Sequence, residues 1–164
     1  MEIVPLHTSH QKKDFDCGKD LLNRYIQKQA SQDVKKKLSA CFVLVEKEQK
    51  VLGYYTLSNS GIPKESLPEK FAQKLPKSYS EIPATLLGRL AIDKSVKGQG
   101  LGELLLIDAL KRSYTISKNE IGSIAVIVDP IDEEALHFYK KYGFIGLDSG
   151  KIFIPMKTIA RLFE

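Results

Sequence analysis

The chain has 164 residues, 43% of them hydrophobic and 27% charged, with a formal net charge of +5. That length and apolar content suffice for one α/β domain with its own core. With no 18-residue apolar run and no basic-then-apolar leader, a cytoplasmic protein without a membrane partner is expected. The two cysteines, Cys17 and Cys41, match no metal-ligand spacing, so neither a zinc site nor a disulfide framework is expected, and no metal is assigned.

The charge is unevenly placed. Residues 11–37 hold eight basic and four acidic side chains, so nearly all of the positive excess sits in one early segment. Within it, CGKDLLNRYIQKQASQD (17–33) sets Leu21, Leu22, Tyr25 and Ile26 at helical spacing, with basic residues on the other side. This is either a solvated helix surface or a landing strip for a polyanion. Phe15 and Tyr25 are its only aromatics, which favours phosphate contact over base stacking. Next, CFVLV and VLGYYTLSN flank the polar turn EKEQK and predict an antiparallel hairpin, with Cys41 in the core. Residues 59–83 carry four of the seven prolines and predict a long surface connection, with at most one short helix around Ser66–Lys74. LLGRLAID (86–93) predicts a buried strand, 99–116 a helix, SIAVIVD (123–129) a second buried strand and 132–142 another helix. KIFIPM (151–156) predicts a last strand, followed by the helical tail TIARLF. Without repeats, low-complexity tracts or a linker, residues 1–164 are expected to form a single domain.

The stretch VKGQGLGELLL (96–106) places glycines at 98, 100 and 102 between a strand and a helix. Glycines there leave backbone N–H groups unshielded at the positive end of the helix dipole, and Lys97 adds a cation; the combination favours a pyrophosphate. No Gly-Lys-Ser/Thr follows, and the third glycine comes two residues after the second. Neither the ATP-type P-loop nor the dinucleotide fingerprint therefore fits. A tight turn with close helix–strand packing is the alternative reading.

The order basic–Gly–x–Gly–x–Gly after Leu-Ala-Ile-Asp resembles the acyl-CoA loop of the GCN5-related N-acetyltransferases (GNAT), with Lys97 standing where that family has Arg or Gln. DEEALHFYKKYGF (132–144) resembles the family's second signature. FDCGKDLLNRYI, VLGYYTLS, LGRLAID and PMKTIARL together resemble the tRNA-acetylating toxins of bacterial toxin–antitoxin pairs, from about Leu6 to Leu162. The first helix, NRYIQKQA, carries a sparser arginine cluster than is usual in those toxins.

The resemblance implies an α/β fold in which a central, mostly antiparallel sheet is splayed at strand 86–93 and has helices on both faces. It implies acetyl-CoA as co-substrate. Leu90, Ala91 and Ile92 would meet the pantetheine arm through their backbone. Lys97, Gly98, Gln99, Gly100, Leu101 and Gly102 would hold the pyrophosphate, and Phe138 would belong to the same cofactor site. It further implies Tyr139 as general acid to the departing thiolate, aminoacyl-tRNA as acceptor, a ribbon-helix-helix antitoxin as partner, and a homodimer.

From spacing alone, Ala135, Phe138, Tyr139 and Tyr142 form an ordinary buried helix face; it is the resemblance that gives Tyr139 its acid role. No base stands out: His137 lies off that stripe and reads as a surface residue, and His7 and His10 lie outside both motifs. A weak-base site suits an α-amine, with a pKa of about 7.7–8.0, better than a lysine at about 10.4. If the acceptor is tRNA, Arg24, Lys28, Lys35, Lys36 and Lys37 would meet its phosphates. Arg89, inside a buried-looking strand, either faces the acceptor or is a paired core charge. Two other readings stand beside this one: acetylation of a small amine, polyamine or protein N-terminus, and a non-catalytic acyl-CoA-binding module.

Overall fold

The computed structural model describes every residue of the chain except Glu48. Its strands are β1 (Glu2–Pro5), β2 (Ala40–Val45), β3 (Val51–Pro63), β4 (Glu81–Ile92), β5 (Ala125–Val128), β6 (Ile145–Gly146) and β7 (Ile152–Pro155). Its α-helices are α1 (Asp20–Arg24), α2 (Ala30–Lys35), α3 (Glu69–Ala72), α4 (Leu101–Asn119), α5 (Glu133–Lys140) and α6 (Met156–Phe163). The strands hydrogen-bond in the order β1-β2-β3-β4-β5-β7-β6. The β4–β5 ladder is parallel, with Thr85 opposite Val126 and Leu86 opposite Ile127, whereas β1–β2, β2–β3, β5–β7 and β6–β7 are antiparallel. The mixed α/β architecture expected from the sequence is therefore present. Among the described residues no helix is long and apolar enough to cross a membrane.

The chain divides into two compact units, Met1–Ser58 with Leu87–Ala109, and Asn59–Leu86 with Leu110–Glu164. In the first, the predicted hairpin forms with Ala40 opposite Leu57 and Val43 opposite Tyr54, and its register shifts between Leu44 and Val45. Glu48, in the predicted turn, lies outside the described residues. The side chains of CFVLV and VLGYYT pack with those of α1 and its continuation into a core of Phe15, Leu22, Tyr25, Ile26, Ala30, Val43, Tyr54 and Ala91. The large apolar side chains among them, such as Phe15, Ile26 and Val43, are each worth about 1.5–3 kcal/mol of apolar transfer. Cys41 is buried as expected, and burial pushes its thiol up to about 12.

The single helix predicted over 17–33 is instead three pieces. Between α1 and α2 the chain makes a π-helical turn, Tyr25–Gln29, in which backbone bonds span five residues rather than four. β1, which the sequence pattern does not predict, adds to the hairpin with Glu2 opposite Val45 and Pro5 opposite Phe42.

In the second unit the proline-bearing connection is shorter than predicted, because β3 continues to Pro63 and β4 already begins at Glu81. Pro83 is tolerated in β4 because its carbonyl, which needs no N–H, accepts from the Ile124 amide at 3.0 Å. The short helix anticipated in this connection is α3. Its Phe71 meets Phe153 edge-on at 5.5 Å, against a core with Ile62, Ile82, Ala125, Ile127 and Leu147. The run AVIV of β5 is buried at all four positions, as a strand covered on both faces requires.

Candidate active site

Although β4 is an interior strand of the sheet, its burial lapses at one place. Leu87 is buried, Gly88 is exposed, and Arg89, Leu90 and Ile92 are half-buried around a buried Ala91. Just past the strand's last residue, Asp93 is 5% exposed and its carboxylate fully engaged. One carboxylate oxygen accepts from the Ser95 amide at 2.9 Å, and the other accepts from the Asp16 amide at 3.0 Å. The Asp93 amide in turn donates to the Leu52 carbonyl at 2.8 Å, and the Lys94 amide donates to the Asp16 carbonyl at 2.9 Å. Burial alone would raise the pKa of Asp93, but the amides it accepts from outweigh that and hold it below its ordinary value. Asp16 is held near 2, first by the Lys94 ammonium 2.9 Å away and then by the Gly18 amide and Asn23. The loop that follows β4 is thus clasped to residues 15–18. Nothing in local sequence reveals this contact, which spans 77 positions.

Past the 3-10 turn Lys94–Val96, residues 97–100 are all exposed. Gly98 and Gly100 have φ of +85° and +74°, where any side chain is strained, and a Cβ at either position would meet no atom within 4 Å. Gly102 differs: it is half-buried inside the first turn of α4. The Leu104 amide makes an early helical bond, 3.1 Å to the Gly100 carbonyl, so the amides just ahead of it lack helical partners. Unshielded glycines, free amides and the exposed Lys97 fit an anionic diphosphate. Glu103, in the same turn, takes back part of that positive potential. Gly53 is marked in the sequence only as a glycine inside a strand pattern. A Cβ there would stand 3.0 Å from the Ala91 carbonyl oxygen and 2.7 Å from Ile92 Cδ1, so β3 passes close to the residues expected to meet the donor arm.

The basic segment is exposed at Arg24, Lys28, Lys35, Lys36 and Lys37, while Phe15 and Tyr25 are buried and closed to base stacking. An α-helix turns about 100° per residue, so positions 25 and 33 on one continuous α-helix would miss each other by about 80°. The π turn advances less per residue and removes the discrepancy. Here the Tyr25 hydroxyl donates to Asp33 at 2.8 Å. Burial first, and this bond second, push the phenol up to about 12. The Tyr25 ring also stacks on Tyr54, centroids 6.2 Å apart, and Tyr54 donates to the Leu22 carbonyl at 2.7 Å. Over the Tyr25 ring, 3.5 Å from its centroid, lies the guanidinium carbon of Arg89. Among the described residues no hydrogen bond or ion pair engages the Arg89 nitrogens, and none of them is a sealed unpartnered atom. The paired-core-charge alternative for Arg89 is therefore wrong: it is a half-buried cation lying on an aromatic face.

In the other unit, Asp132 caps α5 by accepting from the Ala135 amide at 2.8 Å. Tyr139 is 5% exposed, with Phe138 and Phe144 rings each 5.2 Å away edge-on. Gly143, at φ +97°, ends the helix in a left-handed turn, and the buried Phe144 returns against Tyr139. That is the physical content of FYKKYGF. Burial raises the Tyr139 phenol above its ordinary value. Among the described residues no hydrogen bond reaches its hydroxyl, and none is a sealed unpartnered polar atom, so its oxygen borders open space. Of the predicted helix face only Tyr139 is fully buried; Ala135, Phe138 and Tyr142 are half-buried, and His137 is exposed as expected.

Residues 38–145 match the family model described as acetyltransferase (GNAT) domain. A tRNA-acetylating toxin of Mycobacterium tuberculosis is 32% identical over 130 residues, 79% of this chain and 75% of that protein. AtaT complexed with acetyl-methionyl-tRNAfMet superposes with a TM-score of 0.91 at 34% identity, covering 99% of each chain. A tyrosine-to-phenylalanine mutant of AtaT, bound to the C-terminus of the antitoxin AtaR and acetyl-CoA, gives a TM-score of 0.82 at 30% identity over 99% of this chain and 97% of that one.

Proposed function

The chain belongs to the GNAT acetyltransferase family, and from that premise we propose that it moves the acetyl group of acetyl-CoA onto the α-amine of aminoacyl-tRNA, as the toxin of a toxin–antitoxin pair. The likeness to AtaT complexed with acetyl-methionyl-tRNAfMet, over 99% of both chains, carries this reading. The open, positive-φ glycine loop supports the donor side.

In this proposal the backbone of Leu90, Ala91 and Ile92 takes the pantetheine arm on the stretch where β4 loses its cover. Lys97, Gly98, Gln99, Gly100, Leu101 and Gly102 take the pyrophosphate, and Phe138 completes the donor site. The substrate nitrogen attacks the thioester carbonyl carbon, the carbon–sulfur bond breaks, and Tyr139 gives its phenolic proton to the sulfur. A phenol raised by burial keeps that proton throughout neutral pH. The extra proton on nitrogen leaves to water, and a proton from solvent restores the Tyr139 phenol. An aminoacyl amine already partly neutral near pH 7–8 needs no strong base to begin the attack.

Arg24, Lys28 and Lys35–Lys37 meet the tRNA phosphates. One domain over 1–164, a homodimer and an antitoxin of ribbon-helix-helix type belong to the same proposal; the AtaT structure with the antitoxin AtaR supports an antitoxin partner. The test incubates purified protein with labelled acetyl-CoA and a mixed pool of charged tRNAs. Label on the aminoacyl group establishes the reaction and identifies the preferred amino acid. Acetyl-CoA binding with no tRNA labelled would transfer the chemistry to a small amine or a protein N-terminus.

A further inference from the structure

We propose that Tyr25 is a positioning residue that holds Arg89 flat and open-edged to bind a phosphate of the single-stranded 3′ end that carries the reacting amine. The inference rests on aminoacyl-tRNA being the acceptor, and it adds an anchor outside the exposed lysine strip. Arg89 lies 3.5 Å over the Tyr25 ring, a stacking geometry that orders the guanidinium plane. The ring is itself immobilised on three sides: its hydroxyl donates to Asp33, its face stacks on Tyr54, and the residue is 4% exposed. Stacking occupies the face of the guanidinium and leaves its fork of N–H donors unused. Among the described residues nothing else engages them.

An ordered, half-buried fork without a carboxylate matches the bidentate geometry of a phosphate. Arg89 also directly precedes Leu90, the first of the residues assigned to the donor's arm. A phosphate on Arg89 is consequently close along the strand to the thioester, where the end of the acceptor must come. Arg24, Lys28 and Lys35–Lys37 are exposed point or flexible charges, suited to steering a duplex backbone. Arg89 is suited to fixing its end.

The experiment measures acetylation kinetics with charged tRNA, and anisotropy binding of uncharged tRNA, for wild type, Arg89→Ala, Arg89→Lys, Tyr25→Phe and Tyr25→Leu. Arg89→Ala should raise KM for charged tRNA about tenfold and flatten the log–log salt slope of binding by about 0.7, one single-strand phosphate. KM for acetyl-CoA should not change. Arg89→Lys should recover the salt slope but only part of KM. Tyr25→Phe keeps the stacked ring but loses the Asp33 tether and should fall between wild type and Tyr25→Leu, which should approach Arg89→Ala; circular dichroism establishes that each variant folds. If Tyr25→Leu does not fold, the contrast between Arg89→Lys and Arg89→Ala still decides. On tRNA trimmed of its single-stranded 3′ end, wild type and Arg89→Ala should bind alike. An unchanged slope in Arg89→Ala, or a rise in KM for acetyl-CoA instead, overturns the proposal. If wild type acetylates no charged tRNA, the function reading fails, and the binding slopes alone then decide whether Arg89 holds RNA phosphate.

Discussion

Replacing Tyr139 by Phe should remove catalysis while leaving the fold nearly untouched, and the structure sets both magnitudes. The ring keeps its two edge contacts at 5.2 Å, each worth about 0.5–1.5 kcal/mol. Since among the described residues no partner is bonded to the hydroxyl, its loss orphans none, and the change in unfolding free energy should stay within about 0.5 kcal/mol. Losing a general acid costs about 10²–10⁴ in rate, or about 3–5 kcal/mol of transition-state stabilisation at 1.36 kcal/mol per decade. Thiol release from acetyl-CoA in the presence of charged tRNA measures kcat, and a urea titration measures stability on the same preparation. KM for acetyl-CoA should hold. A folded Tyr139→Phe protein with kcat within threefold of wild type would refute the acid role and leave Tyr139 a packing residue. Tyr139→Ala is no substitute, because emptying so buried a site costs about 3–5 kcal/mol of stability by itself.

Asp93→Ala should cost about 2–3 kcal/mol, because it strands the amides of Asp16 and Ser95; the urea midpoint measures it, and a loss under 0.5 kcal/mol would deny the clasp. The Asp93 pKa is depressed in the folded state, so its contribution is complete above the unfolded value of about 3.9 and disappears as pH falls through the folded one. Wild type should therefore lose stability below about pH 4 more steeply than Asp93→Ala. Gly100→Ala forces a side chain to φ +74° in a place where phosphate is proposed to sit; KM for acetyl-CoA should rise at least tenfold, and a wild-type KM would return the loop to a plain turn. The pH dependence of kcat/KM should show an acidic limb near 7–8 that moves with the pKa of the acceptor amine, and no alkaline limb below about 10; an acidic limb that stays fixed when the aminoacyl group is changed would assign it to the enzyme. Charge reversal at Arg24 and Lys28 together should flatten the salt dependence of tRNA binding, and an unaltered slope would remove them from the RNA surface.

Local chemistry made some of this structure legible in the sequence. The hairpin was readable because CFVLV and VLGYYT are dense in β-branched and aromatic residues on either side of a polar turn. The glycine loop was readable because two of its glycines adopt a backbone that other residues rarely take. The ends of β3 and β4 were hidden by Pro63 and Pro83, which look like loop residues unless one knows that Pro83 contributes only its carbonyl. β1 and β6 have four and two residues, too short for a periodic signal. Tyr25 and Arg89 meet from opposite ends of the first unit, and Asp16 reaches Asp93 in the same way. Contacts like these depend on tertiary folding, and neither partner's neighbours in sequence announce them.

The π turn acts as a single-residue phase shift written into a helix. Removing one uncharged residue from Tyr25–Gln29 would let the segment relax to ordinary α geometry, in which seven steps of about 100° come within about 20° of two full turns. Asp33 would still lie on the Tyr25 side, and the basic end at Lys35–Lys37 would keep its direction. Forcing α geometry at the present length would instead turn Asp33 about 80° away from the Tyr25 hydroxyl, and the ring would lose its tether with every charge still present. The first segment of this chain thus carries one residue that its facing does not need, and only the π turn makes that residue harmless.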